Sequence, residues 1–315
     1  MLVNVRWLLM LLPFALWGTA MAAMKPLLAG AEPFTLAWMR LLPAGLVLLA
    51  AAQLWRGGAR VDRRDWGWLL LFALVDATAF QGLLARGLGG TGAGLGSVLI
   101  DSQPLLVALL ARSLFGDAIN PVGWLGLLVG LLGILCLGLP APVLRHWWLM
   151  GPEALGEAAW SHGELWMLAA ALAMALGTVI SRYACRHSDA LAVTGWHMLL
   201  GALPLLAGSA LLPQPFWPSW SPLEWGLMAY AALFGSAVAY GLFFWFANHG
   251  DLTSFTSLTF LTPLFALLCS VALLGEQLQP LQWLGAALAL VSVVLINRRA
   301  LIWQQPAGPV EEVLP

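Results

Sequence analysis

GLGSVLIDSQPLLVALLARSLFGDAINPVGWLG, residues 94–126, decides the fold. It is an apolar span interrupted by Pro104, then a hairpin at Gly116-Asp117, then a second apolar span opening at Pro121. Much of it recurs near the C-terminus. Pro104, Gly116, Pro121, Trp124 and Gly126 match Pro263, Gly275, Pro280, Trp283 and Gly285 at a constant shift of 159, and Asp117 meets Glu276. The same shift pairs Trp7 with Trp166, Gly18-Thr19 with Gly177-Thr178, Trp66-Gly67 with Trp225-Gly226, and Gly82-Leu83 with Gly241-Leu242. The chain reads as a duplicated module.

Composition sets the solvent of that module. Of the 315 residues, 61% are hydrophobic and 9% charged. A soluble domain carries about 25% charged residues, so this chain could not cover a water-facing surface. The reading is an all-α integral membrane protein. Its apolar runs are continuous, which favours helices over the alternating strands of a barrel. Ten spans can be drawn, at about 7–28, 33–54, 66–86, 94–115, 121–139, 163–183, 190–212, 224–247, 254–275 and 280–297. Each is near the ~20 residues that cross the hydrocarbon as helix. Span one resembles a signal peptide, but its Trp7, Gly18 and Thr19 recur in internal span six, so it is read as a retained helix.

Charge sets the orientation. With the N-terminus inside, the inner segments hold Arg6, Arg56, Arg60, Arg63, Arg64, Arg112, Arg182, Arg186, Arg298 and Arg299, and the outer ones only Lys25, Arg86 and Arg145. The positive-inside rule selects both termini cytoplasmic. Five spans per repeat is an odd number, so the second copy enters from the opposite face. The expected architecture is ten transmembrane helices as two inverted five-helix repeats. The divisions are a first repeat 1–139, an extracytoplasmic linker 140–162, a second repeat 163–299 and a cytoplasmic tail 300–315. The loop 213–224 is rich in Pro and Trp and is expected along the outer headgroups.

Both halves end in the pattern P-x(11)-G-[DE]-x(3)-P-x(2)-W-x-G. With the ten spans and the five-plus-five duplication, the chain resembles the EamA-type transporters of the drug/metabolite transporter superfamily. The resemblance covers nearly the whole chain. It implies a ten-helix transporter with a central cavity surrounded by helices one to four of each half. Members of that family move amino acids, metabolites, sugars or nucleotide sugars. Its motif is architectural and names no substrate.

Charges inside spans are costly and commonly face a cavity or a partner. Arg40 and Asp101 each lie seven residues inside spans that enter from the same face, a depth of ~10 Å at 1.5 Å per residue. They are expected to pair, either to lock spans two and four together or to form an outer gate or zwitterion site. Asp76 lies near mid-span in span three and could carry a coupling proton or hydrogen-bond a neighbour. Asp101-Ser102-Gln103-Pro104 is the most polar run inside a span. Pro104 removes a backbone donor and frees the Ile100 carbonyl. Thr259, Thr262 and Pro263 stand in the matching place, so Pro104 and Pro263 are candidate hinges. Gln81 pairs with Tyr240 in the repeat alignment and is a candidate cavity donor. Trp17, Trp38, Tyr240 and Trp245 lie within spans and serve either as packing bulk or as cavity lining. His197 reads as structural. Gly116, Asp117, Gly275 and Glu276 are architectural, an acid before the Pro that opens each following helix.

The expected function is secondary transport of a small metabolite, an amino acid or related solute, by alternating access in the direction of export. The rival readings are transport of sugars or nucleotide sugars and a membrane-embedded enzyme on a lipid-linked substrate. No HExxH, Ser–His–Asp set or Asp-rich metal run supports the enzyme. Gly-rich 87–96 lacks the Lys-Ser/Thr of a phosphate loop. The three cysteines, Cys136, Cys185 and Cys269, lack metal-ligand spacing and read as small apolar residues. No metal and no cofactor is expected. Expected partners are a small-molecule substrate, the lipid bilayer and protons as coupling ion, with a homodimer as an open arrangement. Net charge −1 gives no footprint for nucleic acid. The expected location is the plasma or inner membrane.

Overall fold

In hydrocarbon each backbone N–H and C=O must be paired within its own segment, which makes every apolar run a helix. Local chemistry writes the ends. Glu32 accepts from the Phe34 N–H at 2.7 Å and Pro33 opens the helix behind it. Asp189 and Asp251 cap two later helices in the same way. Gly116 ends another with φ 68, a left-handed turn that favours glycine.

The computed structural model describes residues 2–24, 26–90, 99–117, 119–138, 162–212, 216–274 and 279–302. Among them there is helix and no strand. The helices are α1 (Leu2–Met24), α2 (Pro33–Arg56), α3 (Trp66–Gly90), α4 (Gln103–Phe115), α5 (Pro121–Gly138), α6 (His162–Ala184), α7 (Ala190–Ala210), α8 (Pro222–Asn248), α9 (252–274) and α10 (Pro280–Asn297). Among the described residues, eight helical stretches are long and apolar enough to cross a membrane, and Pro121–Leu137 is a shorter apolar helix. Ten spans were expected. Span five is that shorter helix, and span four is described only from Leu99 onward. The linker 140–161, the tail from 303 and the hairpin residues Gly275 and Glu276 lie outside the described residues.

The two candidate hinges take a particular form. Span four is helical at Leu99–Asp101, turns at Ser102, and restarts at Gln103. Pro104 therefore sits in a first helical turn, where its missing N–H leaves nothing unpaired. Pro263 likewise is the second residue of Thr262–Leu274, which follows the 3₁₀ turn Ser257–Leu261. Helices α3 and α8 each contain π-helical turns, at Ala73–Phe80 and Leu233–Val238.

Packing crosses between the halves of the chain. α1 packs on α8 and α9, whereas α6 packs on α3 and α4. α2 packs on α7, and α5 on α10. The α5–α10 seam is made close by small residues. A Cβ on Gly133 would come within 2.8 Å of the Ala289 nitrogen, and one on Gly285 within 2.8 Å of the Gly133 carbonyl. Such seams are a common way for helices to associate where lipid gives no hydrophobic drive. The opposite faces of the pair expose Leu125, Leu128, Leu132, Trp283 and Leu290.

The stretch 57–65 is pinned to 185–189. The buried Asp65 carboxylate accepts from the His187 backbone N–H at 2.9 Å and the Ser188 hydroxyl at 2.6 Å, and meets His187 Nδ1 at 2.8 Å. Burial works against the charged form, but the hydrogen bonds from Ser188 and His187 outweigh it and hold the carboxyl below the usual range. Beside it, burial first and then Asp65 and Asp189 push the Cys185 thiol up to about 12.

Two outcomes follow for stability. Gly133→Val should lower it by roughly 1–3 kcal/mol through overpacking, read as a lower melting temperature in detergent. Gly226→Ala is the control, because a methyl there meets nothing within 4 Å. Asp65→Asn should cost roughly 1–3 kcal/mol near neutral pH. Because the folded carboxyl is depressed, Asp65's contribution is present above its unfolded range and lost as pH falls through the folded value. The gap in melting temperature between wild type and Asp65→Asn should therefore narrow in acid.

Candidate functional site

Arg40 is the anchor. It lies seven residues into α2 and is 4% exposed. One guanidinium nitrogen donates to the Gln81 side-chain oxygen of α3. Another reaches the Met24 sulfur of α1 at 3.3 Å. Gln81 in turn donates from Nε2 to the Tyr240 hydroxyl of α8 at 2.8 Å. A planar cation is thus held by an amide that is itself held from the other half of the chain.

This chain of contacts borders a central cavity of about 40 Å³. That is the space of a few waters, not of a metabolite. Trp17, Met21 and Met24 of α1 line it, with Arg40, Phe80, Ile100, Asp101, Met174, Tyr240, Thr259 and Thr262. The wall is apolar or aromatic over most of its area, with Trp17 and Tyr240 rings 4.9 Å apart. Its polar groups are few, and four of their atoms lack a hydrogen-bond partner. Trp17 Nε1, Arg40 Nε, Thr259 Oγ1 and Thr262 Oγ1 are buried without a hydrogen-bond partner among the described residues. Buried polar atoms are seldom left so, and these four belong to residues around one cavity.

The structure brings together Trp17, Arg40, Asp101, Tyr240, Thr259 and Thr262, with Gln81 bridging two of them. Other candidates fall elsewhere. Trp38 donates to Ser209 at 2.9 Å and stacks on Phe216 of the 213–224 loop. Trp245 stacks on His249. Ser102 bonds the Leu99 carbonyl, and Gln103 donates to Thr178 at 3.2 Å. Asp76 faces His197, which the sequence reading had set aside as structural. Met21 and Met24 continue the Trp17 face of α1 at helical spacing, whereas Met174 was missed as lining. Its signal was weak, since a flexible thioether fills irregular space anywhere. Among the described residues no group of three or more metal-ligating side chains converges.

Comparison with known proteins agrees with this architecture. The EamA-like transporter family matches the chain twice, over residues 6–139 and 161–298. An uncharacterized transporter of Synechocystis is 51% identical over 300 residues, covering 94% of this chain and 91% of that protein. A WAT1-related chloroplastic protein of Arabidopsis thaliana is 46% identical, over 93% of this chain and 69% of its own length. An uncharacterized inner membrane transporter of Escherichia coli is 25% identical over 94% of this chain and 91% of its own length. A solved crystal structure aligns with a TM-score of 0.75 over 95% of this chain and 98% of that one, at 20% identity, which shows a shared fold.

Proposed function

The chain belongs to the EamA-like transporter family, and on that premise we propose that it moves a small zwitterionic metabolite, an amino acid or a close relative, outward across the plasma or inner membrane by alternating access. The observation that carries this reading is the set of unsatisfied polar atoms around the central cavity. Arg40 suits a carboxylate and Asp101 an ammonium group. The ring faces of Trp17 and Tyr240 suit an apolar side chain. At about 40 Å³ the cavity is closed on its site and must widen to admit such a solute.

The mechanism needs two near-equivalent shapes, which inverted repeats supply. Three features support that arrangement. Helices α4 and α5, Gln103–Phe115 and Pro121–Gly138, map onto Thr262–Leu274 and Pro280–Asn297 at a shift of 159. Gln81 and Tyr240 are separated by the same 159 and hydrogen-bond each other. Equivalent residues that touch must lie on the two-fold axis relating their copies. The crossed packing of α1 on α8 and α9, and of α6 on α3 and α4, has the same self-complementary form. In this reading ten helices span the bilayer, both termini are cytoplasmic, and 140–162 is extracytoplasmic. A proton or solute gradient drives the cycle.

Proteoliposomes carrying the purified protein should accumulate at least one member of a labelled panel of amino acids and sugars. Arg40→Ala and Asp101→Ala should each lower its initial rate by about tenfold or more, the size of one lost charge-assisted hydrogen bond. The swap Arg40→Asp with Asp101→Arg should recover part of the rate. Flux equal to empty vesicles for the whole panel would sink the proposal, as would wild-type rates in both single variants.

A further inference from the structure

Asp76 lies ten residues into α3 from Trp66, fully buried within the π-helical turns. Its Oδ2 meets Nε2 of His197 on α7 at 3.1 Å. His197 is buried as well. Phe72 stacks on its ring with centroids 4.0 Å apart, and Phe244 meets it edge-on at 5.4 Å. The other ring nitrogen, Nδ1, lies 2.6 Å from the Thr194 carbonyl oxygen. A carbonyl can only accept, so Nδ1 carries its hydrogen.

The contact at Nε2 then has two chemical forms. Either the imidazolium donates Nε2–H to the carboxylate, or the carboxylic acid donates to the bare Nε2 of a neutral ring. Both forms hold the same single exchangeable proton. Without it a carboxylate would face a nitrogen lone pair in a buried site, an unfavourable arrangement. We propose that Asp76 and His197 form a proton-binding site whose occupancy latches α3 to α7.

The surroundings make the proton decisive. Asp76 Oδ1 has no hydrogen-bond partner among the described residues. α6 presses on it, since a Cβ at Gly177 would lie 2.5 Å from that oxygen. Donors favour the charged form of a buried carboxylate, and the donor that the described surroundings offer, His197 Nε2–H, is present only while the shared proton sits on the ring. α3 and α7 also dock around the pair: Thr78 donates to the Gly201 carbonyl at 2.7 Å, and a Cβ on Gly201 would meet Ala77 at 2.3 Å. Among the described residues, the other groups with charge or a titratable proton near it are Tyr240 on α8 and Arg40 on α2, one amide further on through Gln81. From α6, Gly177 approaches the pair and brings no titratable group.

This site deepens the transporter reading and rests on it only for the use made of the proton. Loss of the proton to water leaves an Asp76 carboxylate and a neutral His197 with hydrogen on Nδ1. The contact turns repulsive and α3 parts from α7. Binding a proton from the opposite face restores the latch. The path to the cavity is short, because Gln81 and Phe80 follow Asp76 on α3 and border Arg40 and the cavity wall.

The test needs no solute. Purified protein in phosphatidylcholine nanodiscs is taken in weak buffer from mildly acidic to mildly alkaline pH, and an indicator dye counts released protons. Wild type should release one proton per chain more than Asp76→Asn, whose amide can donate to Nε2 and hold the bridge with nothing to titrate. Amide hydrogen exchange across 73–80 and 190–200, corrected for its intrinsic pH dependence, should rise with pH in wild type and stay flat in the variant. Should the variant fail to fold, nitrogen NMR of labelled histidine in wild type should show Nε2 losing its proton or its hydrogen bond over the same range. Equal proton counts, or a histidine signal that does not change, would overturn the latch even with solute flux intact. A normal proton count with no flux of any panel solute would support the latch and end the transporter reading instead.

Discussion

A guanidinium inside a bilayer is the constraint on which the rest of this molecule turns. Its insertion costs about 3 kcal/mol or more, even on lenient scales. Arg40 meets that demand with an amide from α3, a sulfur from α1 and, through the amide, a phenol from α8. Those helices must converge for Arg40 to be buried at all. Their convergence leaves a small chamber walled by aromatic rings and by polar atoms still lacking partners. The same charge that holds the helices together is the group best suited to draw an anion between them.

The two halves divide the work unequally. The first supplies ionisable groups, Arg40, Asp76 and Asp101. The second supplies their reception: Tyr240 for the Arg40 network, Thr259 and Thr262 for the cavity wall, His197 for Asp76. At the shift of 159 the counterpart of Asp76 is Gly235 and that of Asp101 is Phe260. In the inverted-repeat reading this gives near-symmetric hinges around a chemically one-sided centre. The backbone can then rock between similar shapes while the solute meets different chemistry on each side.

How far the sequence speaks depends on the quantity asked of it. Depth within a span is a count of residues, and counting placed Arg40 and Asp101 at one level, where both line the cavity. Azimuth is another matter. A helix apolar all round carries no stripe to say which way it faces, so Trp38 and Trp245 looked equivalent to Trp17 and are not. His197 was legible in principle. Asp76 sits ten residues from the start of α3 and His197 seven from the start of α7, and Asp65 ties those two starts together. A buried carboxylate needed a partner at that level. The prolines marked the breaks at Pro104 and Pro263, but the π-helical turns had no such marker in the sequence.

Those π-helical turns set the rotational phase of everything beyond them. A wide turn holds one residue more than an α-turn would, and a single residue is about 100° of helix rotation. In α3 the turns end at Phe80, directly before Gln81; in α8 they end at Val238, two residues before Tyr240. The hydrogen bond at the centre of the molecule thus exists in the phase that these widened turns impose. Were α3 to relax into ordinary α-helix during its cycle, Gln81 would swing away from Arg40 and Tyr240 together, releasing cation and phenol in a single backbone slip.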